Sequence, residues 1–292
     1  RYACDGLKNQ RIDNPYLKIN NKFEKKNWDE AYKKIIEKIK NTSPNKISGV
    51  IGDLTNMETT FIVKEFFNKI IKSNYLDSRE ENYYVNINDR KNYIFNDSIN
   101  GIEKSDLIFL IGTNPRYEAT ILNARIRKSY LKNKTEVYSF GNIGDLTYPY
   151  KILGNKTELI KDVIESKNEL SEKIINAKKP IIILGQSALK LASGKYIFEE
   201  LKKFLFKNNK INNEWNSLNV ISNNASTVGG YYLDILNPSN EKDSILEKIK
   251  NNFFEILFLF GQDNLHFKKK NEFIVYIGSH GDAGAESADV IL

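Results

Sequence analysis

Two histidines and one cysteine are the whole supply of imidazole and thiol in 292 residues, so chemistry built on either has three positions: Cys4, His266 and His280. His280 lies in Gly278-Ser279-His280-Gly281-Asp282, where an imidazole two residues from a carboxylate could serve as a general acid–base pair. A histidine beside a carboxylate in a glycine-rich loop also orders that loop, and the sequence favours this second role. His266, near Asp263 and ahead of Lys268-Lys269-Lys270, reads as a solvated surface residue, and the lysine triplet as a solvated turn. Cys4 reads as a small packed side chain, because no neighbouring base marks its thiol as reactive. One cysteine rules out an intrachain disulfide framework. One Cys and two His cannot supply the four thiolates of an iron–sulfur cubane or the usual four ligands of a structural zinc. No metal-binding residue is therefore expected, and no catalytic one.

Carboxylates and cations form three further groupings. Asp53 and Glu58 could act as a pair, but Thr55 three residues before Glu58 fits a capping box and accounts for the glutamate. Gly112-Thr113-Asn114-Pro115-Arg116 leads from a strand end towards a helix start, a place where backbone N–H groups suit a phosphate. On the helix that follows, Arg125, Arg127 and Lys128 point outward. They face acidic residues of another subunit or close against Glu118 within the domain.

These groups need elements to hold them. Leu107 to Ile111 is a short, partly β-branched apolar run closed by Gly112, as expected of an interior parallel strand. Pro115 keeps Asn114 out of the α region. Leu122, Ile126 and Tyr130 then recur every four residues on a basic amphipathic helix. Upstream, a helix starts at Trp28 with Asn27 and Glu30 as a capping pair. Its apolar face joins Trp28, Tyr32 and Ile36 to Ala31, Ile35 and Ile39, and Ser43-Pro44-Asn45 breaks it. A strand at 47–51 leads into a second helix, whose buried stripe combines Ile62, Phe66 and Ile70 with Val63, Phe67 and Ile71. The polar stretch 77–83 reads as a surface connection, Tyr84, Val85 and Ile87 as a short strand, and 90–100 as a loop. Further strands are predicted at 136–140, 181–184, 218–221, 256–260 and 273–277, with turn-rich loops at 141–145 and 223–230. Helices are predicted from 157 to 177, through Ile197, Leu201, Phe204 and Leu205, and at 242–250. Strand-then-glycine recurs at Gly112, Gly185 and Gly261, 73 and 76 residues apart by subtraction. That is the rhythm of successive βαβ units on parallel sheets.

With 40% hydrophobic and 12% aromatic residues the composition is globular and long enough for about two domains. The net charge of +7 invites a nucleic-acid reading, but the lysines are dispersed among Asn and Ile with 37 acidic residues between them. Aromatics interleaved along a basic groove, as single-strand binders use, are lacking; Tyr and Phe fall at core-like spacing. No apolar run approaches the roughly 20 residues that span a bilayer, so membrane association is expected only through partners. No initiator Met and no leader-like segment opens the chain, so translation is expected to begin elsewhere.

Five segments carry a family resemblance. They are Arg1-Tyr2-Ala3-Cys4-Asp5-Gly6-Leu7 with Gln10-Arg11 and Asn14-Pro15; Trp28-Asp29-Glu30-Ala31; the run SDLIFLIGTNPRYEATILNARIRKSY from Ser105; Lys178-Lys179-Pro180 with Ile181 to Gly185 and Ser187-Ala188-Leu189; and Gly278 to Ala285 followed by Ala288-Asp289-Val290-Ile291-Leu292. In this order and spacing they resemble the molybdopterin-oxidoreductase-like region of the large iron–sulfur (75 kDa) subunit of respiratory complex I, the NADH-quinone oxidoreductase, over nearly the whole chain. The resemblance implies an α/β fold with Rossmann-like parallel sheets flanked by helices in two interleaved lobes, as in oxidoreductases of the formate dehydrogenase and DMSO reductase type. Residues 1–45 would be a lead-in segment with the first helix, 46–155 a first α/β lobe and 156–292 a second.

It further implies a scaffold portion of NADH:ubiquinone oxidoreductase, which passes electrons from NADH to quinone and couples this to proton translocation. The chain itself would not be catalytic and would hold no cofactor. Iron–sulfur clusters and FMN would sit in partner chains, one of them carrying the N-terminal cluster region, and nucleic acid would not be a partner. In that setting the Gly112 loop holds no pterin, and Arg116 and Glu118 form an internal ion pair or touch a neighbouring subunit. The Lys-Asn-Ile-rich composition favours the mitochondrial inner membrane, matrix side, with the cytoplasmic face of a bacterial membrane as the alternative. The chain stops at Leu292 where relatives continue, as expected of one piece of a split or trimmed subunit. The alternative function is a fragment of an active molybdopterin-dependent oxidoreductase such as formate dehydrogenase.

Overall fold

Pairing between strands far apart in sequence divides this chain. The computed structural model describes residue 9 and residues 11–235 and 244–292. These fall into two units, one running to Asn82 and resuming at Asn224, the other being Tyr83–Asn223 between them. Cys4, the rest of the opening segment to Leu7, Gln10, and Lys242 and Asp243 of the expected helix at 242–250 lie outside the described residues.

The first unit opens on a hairpin, β1 (Tyr16–Ile19) and β2 (Lys22–Lys25). Its turn residues Asn20 and Asn21 hold φ of 49° and 61°, which a two-residue hairpin turn demands and asparagine tolerates. α1 (Trp28–Lys40) begins on the expected capping box, Asn27 Oδ1 accepting from Glu30 N at 2.9 Å and Glu30 Oε2 from Asn27 N at 3.1 Å. Only half of its apolar face is covered: Ala31 and Ile35 are buried, whereas Trp28, Tyr32 and Ile36 remain 48%, 46% and 49% exposed. β3 (Ile47–Ile51) is buried throughout. α2 (Met57–Glu65) runs on through a π-helical turn, Phe66–Ile71. Its cap is Asn56, accepting from Thr59 N at 2.8 Å, and not the expected Thr55–Glu58 box. Thr55 instead donates its hydroxyl to Phe260 O at 3.2 Å. Val63, Phe67 and Ile71 form the buried row, while Ile62 and Ile70 are exposed. β4 (Leu76–Asp77) follows, and the segment after it is no surface connection, because Asp77, Ser78 and Arg79 are buried. The Arg79 guanidinium folds back on Asp77, Nε to Oδ1 at 3.1 Å and Nη2 to Oδ2 at 2.8 Å, so each buried charge has its counter-charge.

The second unit begins with an irregular stretch where a strand was expected at Tyr84 to Ile87. Its polar groups go elsewhere: Tyr84 N donates to Leu189 O at 2.9 Å, and Asn86 Nδ2 to Glu199 Oε1 at 2.9 Å. The elements after it are β5 (Leu107–Ile111), α3 (Pro115–Glu118), α4 (Thr120–Asn133), β6 (Glu136–Phe140) and β7 (Lys151–Gly154). Then come α5 (Glu158–Ile164), α6 (Glu169–Asn176), β8 (Pro180–Gly185), α7 (Gln186–Leu189), α8 (Gly194–Lys207) and β9 (Leu218–Ile221). All five strands are parallel, in the order β7-β6-β5-β8-β9, with Leu107 opposite both Glu136 and Pro180. Asp106 sets that register by accepting from Lys178 N at 2.6 Å and Lys179 N at 3.0 Å. Ile108, Leu110, Val137, Ile181 and Ile183 on one sheet face pack with Leu122 and Ile126 of α4.

The chain then returns to the first unit. α9 (Ala225–Tyr232) stands where a Ser/Asn/Gly-rich loop was expected. Tertiary bonds override local preference there. Ser226 Oγ donates to Thr55 O at 2.6 Å, and Gly230 lies against Ser78, where a Cβ would meet Oγ at 2.3 Å. α10 (Ile245–Lys250), β10 (Ile256–Phe260), β11 (Phe273–Ile277), α11 (Ala283–Ser287) and β12 (Val290–Ile291) complete it. The sheet order is β2-β1-β12-β11-β10-β3-β4, parallel from β12 to β4 with the hairpin antiparallel at one edge. α1 and α2 cover one face through Ala31, Ile35, Val63 and Phe67 against Phe258 and Val275. α10 covers the other against Val50, Leu257 and Leu259.

The expected boundaries at 45/46 and 155/156 are therefore corrected. β3 and β4 pair with β10, while β5 to β7 pair with β8, so the lead-in segment belongs to the first unit and the break falls after β4.

Arg79→Met would leave Asp77 buried without its counter-charge. The expected cost is about 3–5 kcal/mol, read as a lower urea midpoint at unchanged slope; a midpoint within error of the native one would refute the role given to this pair.

Candidate functional site

In a doubly wound sheet a ligand is expected outside the carboxyl ends of the strands, where the winding reverses. The reversal lies between β3 and β10 in the first unit and between β5 and β8 in the second. Glycine closes both positions. A Cβ on Gly52 would fall 1.8 Å from Gly261 O, and a Cβ on Gly185 would fall 2.1 Å from Gly112 O. Gly261 and Gly112 hold φ of 58° and 62°, a left-handed conformation that glycine adopts without steric penalty. The recurrent strand-then-glycine pattern thus has two kinds of partner: Gly112 meets Gly185 on one sheet, and Gly261 meets Gly52 on the other.

In the second unit the loop after β5 spends its polar groups internally. Thr113 donates its hydroxyl to Glu118 Oε2 at 2.6 Å. Asn114 accepts from Arg116 N at 3.1 Å and donates to Ile143 O at 2.7 Å. Arg116 Nη1 bonds the Asp145 carboxylate at 2.6 Å and its backbone carbonyl at 2.7 Å. Arg116 and Glu118 therefore do not pair with each other; each ties the loop to a different neighbour. The hydrogen bond from Thr147 N, then that from Arg116, holds the Asp145 carboxyl below the usual range. The basic face of α4 closes on Glu103 and not on Glu118. Arg125 and Lys128 both reach Glu103, Lys128 Nζ lying 2.7 Å from Oε2, and Arg127 Nε donates to Thr147 O at 3.3 Å. Hydrogen bonds from Lys128 and Arg125 keep the Glu103 carboxyl below its ordinary value.

In the first unit His280 Nδ1 lies 2.9 Å from Ser279 Oγ, so the imidazole's partner is the serine beside it and not Asp282. Asp263 accepts from Gly284 N at 3.0 Å and from Tyr276 OH at 3.1 Å. Burial, then the Asp263 charge, raises the Tyr276 phenol. Asp263, Gln262, His266 and Lys268 line an open cavity of about 420 Å³, with His266 exposed at its rim as expected. The lysine triplet is not simply solvated, since Lys269 Nζ bonds Asp289 Oδ2 at 2.7 Å. Asp53 contributes its backbone carbonyl to Ser226 N at 3.1 Å, and Glu58 is exposed.

The sequence reading passed over Asp97. Buried Asn219 on β9 accepts from Asn96 N at 2.7 Å and Asp97 N at 3.0 Å, and donates to Asp97 Oδ2 at 3.2 Å. Burial pushes the Asp97 carboxyl up to about 6, against the lowering effects of Asn219 and Lys179. Nothing in the local Asn96-Asp97-Ser98 run signals this, because the partner lies on a strand more than a hundred residues away.

Doubly wound parallel units closed at both reversal points are thus the frame on which this chain is built. The chain belongs to the molybdopterin oxidoreductase family, whose model matches residues 11–292. Along all of its length it is similar to an NADH-quinone oxidoreductase subunit from Rickettsia bellii (strain RML369-C), 37% identical over 293 residues. It is likewise similar to the NADH-ubiquinone oxidoreductase 75 kDa subunit of Reclinomonas americana, 39% identical over 309 residues, and to the mitochondrial 78 kDa subunit of Neurospora crassa, 35% identical over 301. The chain spans 42%, 44% and 39% of these relatives respectively. Among solved structures, acetylene hydratase from Pelobacter acetylenicus matches at a TM-score of 0.50 and 11% identity, over 99% of this chain and 56% of that one, a likeness of fold alone.

The family's name implies a pterin group, and the residues present do not fit one. At each reversal point two glycine backbones approach closely, and the loop after β5 has committed its hydroxyl, amide and guanidinium to its own neighbours. Among the described residues no group of three or more His, Cys, Asp or Glu side chains is arranged to hold a metal ion.

Two measurements test these assignments. Gly52→Ala is expected to cost about 1–3 kcal/mol through the backbone clash, whereas Gly281→Ala, with nothing within 4 Å of its Cβ, should stay within about 0.5 kcal/mol of native. Equal unfolding midpoints for the two variants would overturn the closed reversal point. For Asp97 the folded value is raised above the ordinary 3.8, so its stabilising contribution is complete below that pH and lost as pH rises through 6. Asp97→Asn, fixed neutral, should exceed the native chain by on the order of 1 kcal/mol at pH 7.5, the partial exposure of the group allowed for. The two should converge near pH 4, and a gap that does not change with pH would remove Asp97 as its source.

Proposed function

We propose that this chain is the scaffold portion of the large iron–sulfur subunit of an NADH:ubiquinone oxidoreductase, supporting electron transfer from NADH to quinone coupled to proton translocation. One observation carries the reading: both units, from first residue to last, align with subunits of oxidoreductases so named at 35–39% identity. The chain itself holds no redox centre; its iron–sulfur clusters and FMN lie in partner chains, including the one that carries the N-terminal cluster region. The closed reversal points and the internally committed loop after β5 support this, because they leave a packing body where a catalytic relative would cradle a cofactor. Among the described residues no helix is long and apolar enough to cross a membrane, which agrees with attachment through partner subunits. The subunit works at the matrix side of the mitochondrial inner membrane; the relatives include proteins named as mitochondrial as well as bacterial ones.

Affinity purification of the tagged chain from its own source in mild detergent tests the reading. A large membrane complex that oxidises NADH and contains flavin and iron–sulfur signals, without stoichiometric molybdenum, is the expected result. A lone soluble protein, or one molybdenum and one pterin per chain, would sink it, the second outcome pointing to an active molybdopterin enzyme.

A further inference from the structure

The uncovered side of α1 has the makings of a contact surface. Trp28, Tyr32 and Ile36 recur at four-residue spacing and stay half exposed, while Ala31 and Ile35 anchor the same helix in the core. The Trp28 and Tyr32 rings lie 5.6 Å apart, centre to centre, so the row is a preformed platform and not a scatter of surface apolar groups. Eight residue-to-residue steps from Trp28 to Ile36 at about 1.5 Å each give it a length of roughly 12 Å, enough for one helix to cross another.

Charge tells what can sit there. Residues 22–40 hold seven lysines and four acidic residues, a surplus of +3 out of the +7 of the whole chain. Three of the acids are engaged already: Glu24 with Lys26 at 3.1 Å, Glu37 with Lys34 at 3.7 Å, and Glu30 in the capping box. Lys22, Lys25, Lys33, Lys38 and Lys40 are left without an ion pair among the described residues, Lys38 lying over the Phe273 ring, against Asp29 alone.

We propose that this face docks a different polypeptide, through an apolar surface rimmed with carboxylates. A second copy of the chain is the wrong occupant, because a two-fold contact would set these lysines against their own equivalents. An anionic bilayer would welcome the lysines but would meet four carboxylates in the same segment, and half of the apolar face of α1 is already spent on the core. A contact this narrow falls short of the roughly 800 Å² per partner of a free-standing complex, so the partner is held at other points as well. The proposal rests on the preceding reading only in that the chain works inside an assembly.

The test places the photo-reactive residue p-benzoylphenylalanine at position 32 of the full chain, Tyr32→benzoylphenylalanine, expressed in its own source. Irradiation and mass spectrometry then identify the adduct. An acidic peptide from another polypeptide is expected, with a yield that drops roughly fivefold or more when Lys33→Glu and Lys40→Glu are introduced together and circular dichroism is unchanged. An adduct with residues 1–8 of the same chain, with a second copy or with lipid would overturn the proposal, as would no adduct or a yield indifferent to the charge reversal. Copurification with the flavin-containing complex but no adduct removes the surface and spares the assembly reading; an acidic adduct without that complex does the reverse.

Discussion

Everything in this chain is arranged around two places where a carbonyl lies against a bare Cα. At each winding reversal the neighbouring parallel strands end on glycines so close that any side chain on Gly52 or Gly185 would occupy the space of a backbone oxygen. Such crevices are the usual ligand sites of doubly wound sheets. Here the two backbones approach closely, and polar groups at the strand ends bind one another. The Arg116–Asp145, Thr113–Glu118 and Tyr276–Asp263 contacts are the outcome.

Carboxylates do comparable work at the opposite ends of the strands. Asp106, just before β5, takes the N–H groups of Lys178 and Lys179 that lead into β8, and Asp289, just before β12, takes Ile274 N at 2.8 Å in β11. Parallel pairing fixes no register through a tight turn, since its partners are joined by long crossovers. A charged acceptor at the start of one strand that claims the donors at the start of the next supplies that register. Asp289 also holds Lys269, so a single side chain joins the loop after β10 to two strands.

How much of this was legible follows from where the determining information lies. β5, β8, β10 and β11 could be read because a strand buried on both faces is a near-continuous apolar run, and β3, β6 and β9 from shorter apolar stretches interrupted by Ser48-Gly49, Ser139 and Asn219. β1, β2, β4, β7 and β12 were not foreseen: β2, β4 and β7 stand at sheet edges, β4 and β12 are two residues long, and β1 is a short, partly exposed hairpin strand, so no long apolar run marks any of them. Helical spacing marked which rows of α1 and α2 could be buried, but not that Tyr32 and Ile70 would stay exposed among the described residues. The Gly229-Gly230 pair suggested a loop when it serves close packing of α9 on Ser78. Arg116 was noted without its partner and Asp97 was passed over, because Arg116 reaches 29 residues to Asp145 and Asp97 reaches 122 to Asn219.

The connectivity of the first unit carries a consequence for biosynthesis. β3 lies between β4 and β10, and β10 lies some two hundred residues downstream, beyond the whole of the contiguous second unit. During translation the second unit has every strand it needs as soon as its own stretch leaves the ribosome, whereas β3 emerges early and must wait with one edge bare. The order of maturation is thereby the reverse of the order of synthesis, and the interrupted sheet is the part that most needs shelter while the chain grows.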